Sequence, residues 1–172
     1  MSQSLADKIT FHHTAGTYTP NALEKNCYHY LIDSEGRVTK GVRTVADNVN
    51  CYDGKYAAHC GGGNTKNIGI AFCANLNLSE KTLATKYPLT RPQLEAGFKL
   101  AAELSILYSI PVVPDKIFTH YEFDKKKEKP QGKIDIIYLP PFPFVERKGV
   151  GDFIRSKVKW YIQHFNGNFD LV

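Results

Sequence analysis

Ile9-Thr10-Phe11-His12-His13-Thr14-Ala15-Gly16 is an apolar, β-prone run that stops at two histidines and breaks at a glycine. A short apolar run closed by a turn signal reads as a buried strand, so residues 9–12 are expected to form a strand that delivers imidazoles at its end. Asn67-Ile68-Gly69-Ile70-Ala71-Phe72-Cys73 is apolar almost throughout, the pattern of a central strand covered on both faces. Residues 28–33 and 37–42 flank Ser34-Glu35-Gly36, a turn with glycine where positive φ is needed, and predict a hairpin. Lys116-Ile117-Phe118-Thr119 is a further short strand, leading directly into His120.

Helices fall between these strands. Thr90-Arg91-Pro92-Gln93 combines a hydroxyl cap, a first-turn proline and a glutamine three residues on, which is a helix start. Leu94, Phe98, Ala101 and Ala102 then recur at helical spacing, and the helix is expected to reach about Tyr108 before Pro111. Residues 21–25 predict a helical turn, residues 44–66 a loop, and residues 153–165 a closing amphipathic helix. The alternation gives an α/β fold with a central mixed β-sheet flanked by helices. At 172 residues a single domain with one core is expected, spanning 1–172 with its core at about 7–165. Open α/β sheets place their sites beyond the strand ends, and a zinc cleft is expected there.

That expectation rests on three side chains. His12 and His120 each stand beside a strand-like run, and Gly132-Lys133-Ile134-Asp135 supplies a carboxylate. Two neutral imidazoles and one carboxylate are the donor set of a catalytic Zn2+ with one open position. A lone histidine at a strand end is more often structural, so the combination carries the reading. Strand alternation also predicts that His12 and His13 diverge, one serving as ligand and the other packing or orienting a partner.

Composition excludes several alternatives. No stretch has the length and apolarity of a membrane span, so membrane insertion is not expected. The first residues lack the apolar core of a signal peptide, which predicts cytoplasmic synthesis. The net charge of +5 favours anionic partners. Much of the excess sits in Asp124-Lys125-Lys126-Lys127-Glu128-Lys129, which reads as a solvated loop. Neither a basic helix nor basic residues interleaved with aromatics is present, so nucleic acid is not an expected partner. Cys27, Cys51, Cys60 and Cys73 form no C-x-x-C pair, and free thiols are expected rather than disulfides.

In combination the motifs resemble the zinc N-acetylmuramoyl-L-alanine amidases that include phage amidase lysozymes and peptidoglycan recognition proteins. The resemblance runs from about residue 9 to 141. It rests on His12-His13-Thr14-Ala15, on Tyr28-His29-Tyr30-Leu31-Ile32 followed by Gly36-Arg37-Val38, and on His59 followed by residues 64–70. Thr119-His120-Tyr121-Glu122 and Lys133-Ile134-Asp135, with Pro140 and Pro141 beyond, complete it. The resemblance implies zinc ligands at His12, His120 and Asp135, a catalytic Tyr28 facing the metal, and Lys133 beside the reacting centre. It also implies His59 orienting substrate or moving a proton, and substrate contacts at Asn64 and Thr65. His29 is expected to be structural.

Three departures from the family pattern stand out. The spacer between His120 and Asp135 is long, Ile136 occupies the usual proline position, and Ala71 stands where an intracellular branch carries a glutamate. The implied activity is hydrolysis of the amide between N-acetylmuramic acid and L-alanine in peptidoglycan or a muropeptide. A monomer of the phage endolysin type is expected, reaching the wall after holin-type release. The alternatives are a non-catalytic peptidoglycan-binding module of the same fold, a cytosolic muropeptide-recycling amidase, and a structural metal protein or a regulator that binds nucleic acid through the basic loop.

Overall fold

The computed structural model describes residues 4–172. Strand β1 (Lys8–His13) pairs in parallel with β4 (Asn67–Phe72) on one side and with β5 (Ile117–Thr119) on the other. Beyond β4 lies β2 (Tyr30–Ile32), parallel to it, and β3 (Val38–Lys40) closes the edge antiparallel to β2. The five-stranded order is β3-β2-β4-β1-β5, the mixed sheet that the sequence predicts. Helices α1 (Ala22–Cys27), α2 (Arg91–Tyr108), α3 (His120–Lys125) and α4 (Val150–Gln163) complete the domain. Among the described residues no helix is long and apolar enough to cross a membrane.

Strand alternation sends Ile9 and Phe11 of β1, and Ile68, Ile70 and Phe72 of β4, into one apolar core with Leu94, Phe98 and Leu104 of α2 and Ile154 and Val158 of α4. Fully burying one such side chain stabilises by about 1.5–3 kcal/mol, which makes this face the main support of the sheet. Gln93 bolts α2 to it. Its buried amide donates to the carbonyls of Ile32 (2.7 Å) and Cys73 (3.0 Å) at the ends of β2 and β4. The opposite face carries Thr10, His12, Asn67, Gly69 and Ala71, all buried. That face holds the polar chemistry.

Three elements differ from their sequence-based outlines. The hairpin strands are shorter than expected because Tyr28 serves as the C-cap of α1 instead of extending β2. Helix α4 begins three residues earlier than predicted, at Val150. Helix α3 is absent from the sequence-based outline, although Thr119 and Glu122 form a reciprocal capping box at its start, a signature visible in Thr119-His120-Tyr121-Glu122. The lysine run therefore begins inside a helix. Lys126 pairs with Asp115 at 2.6 Å, and Lys127 lies over the Phe123 ring. All four cysteines are free thiols.

Candidate metal centre

The β1–β5 register pairs Phe11 with Thr119, so the residues that follow, His12 of β1 and His120 at the start of α3, stand side by side. Their ring centroids are 4.7 Å apart. Asp135 arrives from the segment after α3 and bridges them, with Oδ2 3.2 Å from His12 Nδ1 and Oδ1 3.5 Å from His120 Nδ1. One donor atom from each residue lies within 4.8 Å of the others, and all three residues are buried.

Burial sets the charge states. It lowers the His12 pKa to about 4 against the opposing pull of Asp135, so the ring is neutral near pH 7. Burial alone would raise the Asp135 pKa. The close approach of the His12 and His120 rings outweighs it and holds the carboxyl well below the usual range. A neutral His12 imidazole beside the Asp135 carboxylate matches the protonation states that a divalent metal requires of such ligands. The Nε2 atom of His120 is buried without a hydrogen-bond partner among the described residues, a state that costs about 1–3 kcal/mol unless something satisfies it. An unsatisfied imidazole nitrogen and this donor set fit Zn2+.

A cleft of about 300 Å³ opens beside the cluster, walled by His13, Tyr28, His59, His120, Lys133 and Asp135 among others. The Tyr28 ring centroid lies 5.2 Å from that of His12. Burial, aided by the nearby Asp135 charge, pushes its pKa up, so Tyr28 is a phenol and a hydrogen-bond donor at neutral pH. Lys133 is exposed on the rim, and Asp124 anchors its loop. The buried Asp124 carboxylate accepts from the main-chain N–H groups of Gln131 and Lys133, each at 2.9 Å. Sequence reasoning missed this anchor because Asp124 opens a charge run that looks solvated.

His12 and His13 diverge in their partners, as alternation predicts. His13 Nδ1 accepts from the Asn75 amide at 2.8 Å, away from Asp135. His13 borders the cleft, where β1 ends and the chain turns at Ala15 with φ 55°, whereas His12 is fully buried behind it. His59 lies within the site, but both of its ring nitrogens are engaged, Nδ1 with His12 Nε2 and Nε2 with the Asn67 carbonyl, each at 3.0 Å. Asn64 and Thr65 do not line the cleft. The Asn64 side chain instead accepts from the Cys60 N–H at 2.7 Å, which shapes the glycine-rich loop behind His59.

His29 is structural, as expected. Its Nδ1 accepts from the Gly69 N–H and its Nε2 donates to Asn48 Oδ1. Burial lowers its pKa to about 4, with a consequence for stability. Between about pH 6.5 and 4 the unfolded chain takes up protons that the folded His29 refuses, so stability present above 6.5 is lost as pH falls through that window. The loss should reach about 3 kcal/mol for His29 alone, and the depressed Asp135 extends it to lower pH. Urea unfolding of zinc-free protein at pH 7.5 and pH 4.5 measures it, and equal midpoints would contradict the assignment.

A sequence profile described as N-acetylmuramoyl-L-alanine amidase matches residues 2–132. Lys133 and Asp135 lie just beyond that match. No curated protein matches the chain in sequence. Among solved structures, the N-acetylmuramoyl-L-alanine amidase LysC from Clostridium intestinale URNW superposes with a TM-score of 0.55 at 18% identity, covering 92% of this chain and 91% of that one. The Ph2119 endolysin from Thermus scotoductus MAT2119 bacteriophage Ph2119 gives 0.53 at 17% identity, with 92% and 86% covered. The PlyG catalytic domain gives 0.56 at 16% identity, with 98% and 89% covered. At such identities these structures establish a shared fold.

Proposed function

The chain belongs to the N-acetylmuramoyl-L-alanine amidase family, and from that premise we propose that it is a zinc-dependent hydrolase. Its proposed substrate is the amide bond between N-acetylmuramic acid and L-alanine in peptidoglycan. The observation that carries this reading is the buried His12–His120–Asp135 cluster beside a cleft walled by Tyr28 and Lys133. The three residues would hold the ion. When bound, zinc supplies Lewis acidity toward the amide carbonyl and lowers the pKa of water toward ~7.

The remaining chemistry belongs to the chain. As the carbonyl carbon becomes tetrahedral its oxygen gains negative charge, and preorganised donors that meet that charge lower the barrier. Tyr28 offers a phenolic O–H whose raised pKa keeps its proton in place. Lys133 brings a cationic amine on a loop pinned by Asp124. Losing one such donor commonly costs about 10²–10³ in kcat. Tyr28→Phe and Lys133→Met should each lose about 10²-fold in kcat with little change in KM, and normal kcat in either variant would remove that residue from the mechanism. Ala71, the register partner of His12, brings no acid to the sheet, which favours the tyrosine–lysine chemistry over a glutamate base.

In this reading the whole of residues 1–172 is one amidase domain with its core at about 7–165, acting as a monomer on the wall in the manner of a phage endolysin after holin-type release. Mass spectrometry of digested sacculi tests the activity. Free N-terminal L-alanine without new reducing sugar ends is expected. New reducing ends would identify a glycosidase, and bound zinc with intact walls would identify a binding module.

A further inference from the structure

We propose that His59, held by the main-chain carbonyl of Asn67, sets the tautomer of His12 and is thereby a positioning residue of the metal centre. The inference rests on the zinc reading above and adds to it how one ligand is made ready.

A carbonyl oxygen only accepts, so the 3.0 Å contact between His59 Nε2 and the Asn67 oxygen requires the hydrogen on Nε2. A neutral imidazole has a single N–H, which leaves His59 Nδ1 as an acceptor. That atom lies 3.0 Å from His12 Nε2, which must therefore carry the hydrogen of His12. The proton of His12 is then spent, and its Nδ1 lone pair faces Asp135 Oδ2 at 3.2 Å. Two acceptors facing one another repel unless a cation joins them.

The opposite assignment moves the same repulsion to the Asn67 carbonyl, where no cluster of metal-binding side chains lies among the described residues. Zinc thus selects the first arrangement, and His59 supplies the partner for the far N–H of the ligand. Second-shell acceptors of this kind orient a metal-bound histidine and raise its basicity.

The surroundings keep the His59 ring from turning. A Cβ at position 69 would stand 2.6 Å from His59 Cγ, so only glycine lets the imidazole lie against β4. The Asn67 side chain is tied to Thr10 and to the Gly63 carbonyl, each at 2.8 Å. His29 packs edge-on against His59, with centroids 5.5 Å apart.

Two measurements on the full chain test the relay. The first is zinc affinity by competition with a chromophoric chelator, for wild type, His59→Phe and His59→Gln. His59→Phe should bind zinc about 10–100-fold more weakly. His59→Gln keeps one acceptor and one donor and should recover most of the loss. The second is imidazole 15N NMR of zinc-loaded wild type, which needs no variant and should place the hydrogen on Nε2 of both His12 and His59. Wild-type affinity in His59→Phe, equal losses in both variants, or a hydrogen on His59 Nδ1 would overturn the relay while leaving the zinc reading intact. Wild type that takes up no zinc would overturn the zinc reading, and the relay with it.

Discussion

His120→Ala is expected to abolish wall hydrolysis, with a loss of about 10³-fold or more. The ion is asked to supply several kcal/mol of transition-state stabilisation, and each 1.36 kcal/mol is about tenfold in rate. The structure separates this loss from a folding defect. His120 Nε2 has no hydrogen-bond partner among the described residues, so removing the ring relieves an unsatisfied polar atom even as it opens space. The zinc-free variant should then unfold close to zinc-free wild type. Zinc at a hundredfold excess over its Kd should stabilise wild type by about 2.7 kcal/mol and leave His120→Ala unmoved. Thermal unfolding with zinc and with chelator, beside turbidity loss of purified walls, reads both effects. Undiminished hydrolysis by either the variant or the chelated wild type would refute a metal at this site.

Arg155→Met should produce the largest loss of stability, about 3 kcal/mol. Arg155 lies on α4 and is buried. It donates to the Ile117 carbonyl of β5 at 2.9 Å and grips both carboxylate oxygens of Glu122, at 2.9 and 3.1 Å. Glu122 in turn accepts from the Thr119 N–H at 2.9 Å and caps α3. Deleting the guanidinium strands that carboxylate in a site without its counter-charge, and breaking a buried pair costs about 3–5 kcal/mol. The lower figure applies because the Glu122 side chain keeps 26% exposure. The partner Asp152 is largely exposed and adds little.

The same contacts hold the residue that precedes His120, so zinc affinity should fall together with stability. Replacing Glu122 by Gln in the Arg155→Met background keeps the cap acceptor while removing the stranded charge, and should return part of the loss. Urea unfolding of the single and double variants measures this. A change below about 1 kcal/mol in Arg155→Met would show that α4 does not support the metal centre through this link.

The reach of sequence reasoning follows the range of the forces involved. Residues 9–12 and 67–73 announce buried strands because apolar patterning is local. Thr90-Arg91-Pro92-Gln93 marks the start of α2 for the same reason, since a cap is satisfied within one turn. The donor types at His12, His120 and Asp135 were equally readable. Their convergence is expected from the combination of motifs rather than from any local pattern, and it is brought about by the parallel β1–β5 register and a chain reversal after α3 that Asp124 stabilises.

Charge runs misled for a physical reason. Asp124 looks solvated among lysines, yet it is buried by accepting main-chain N–H groups seven and nine residues further on. His59 shows the same boundary more sharply. Its presence in the loop can be read directly, but its chemistry is set by a carbonyl on β4, a neighbouring ring on β1 and the missing side chain at Gly69. Local patterning thus specifies the strands, the helices and the inventory of reactive groups. Which nitrogen carries a proton, and which side chains meet around one point, is decided by long-range packing, because hydrogen-bond partners and burial exist only once distant segments are brought together.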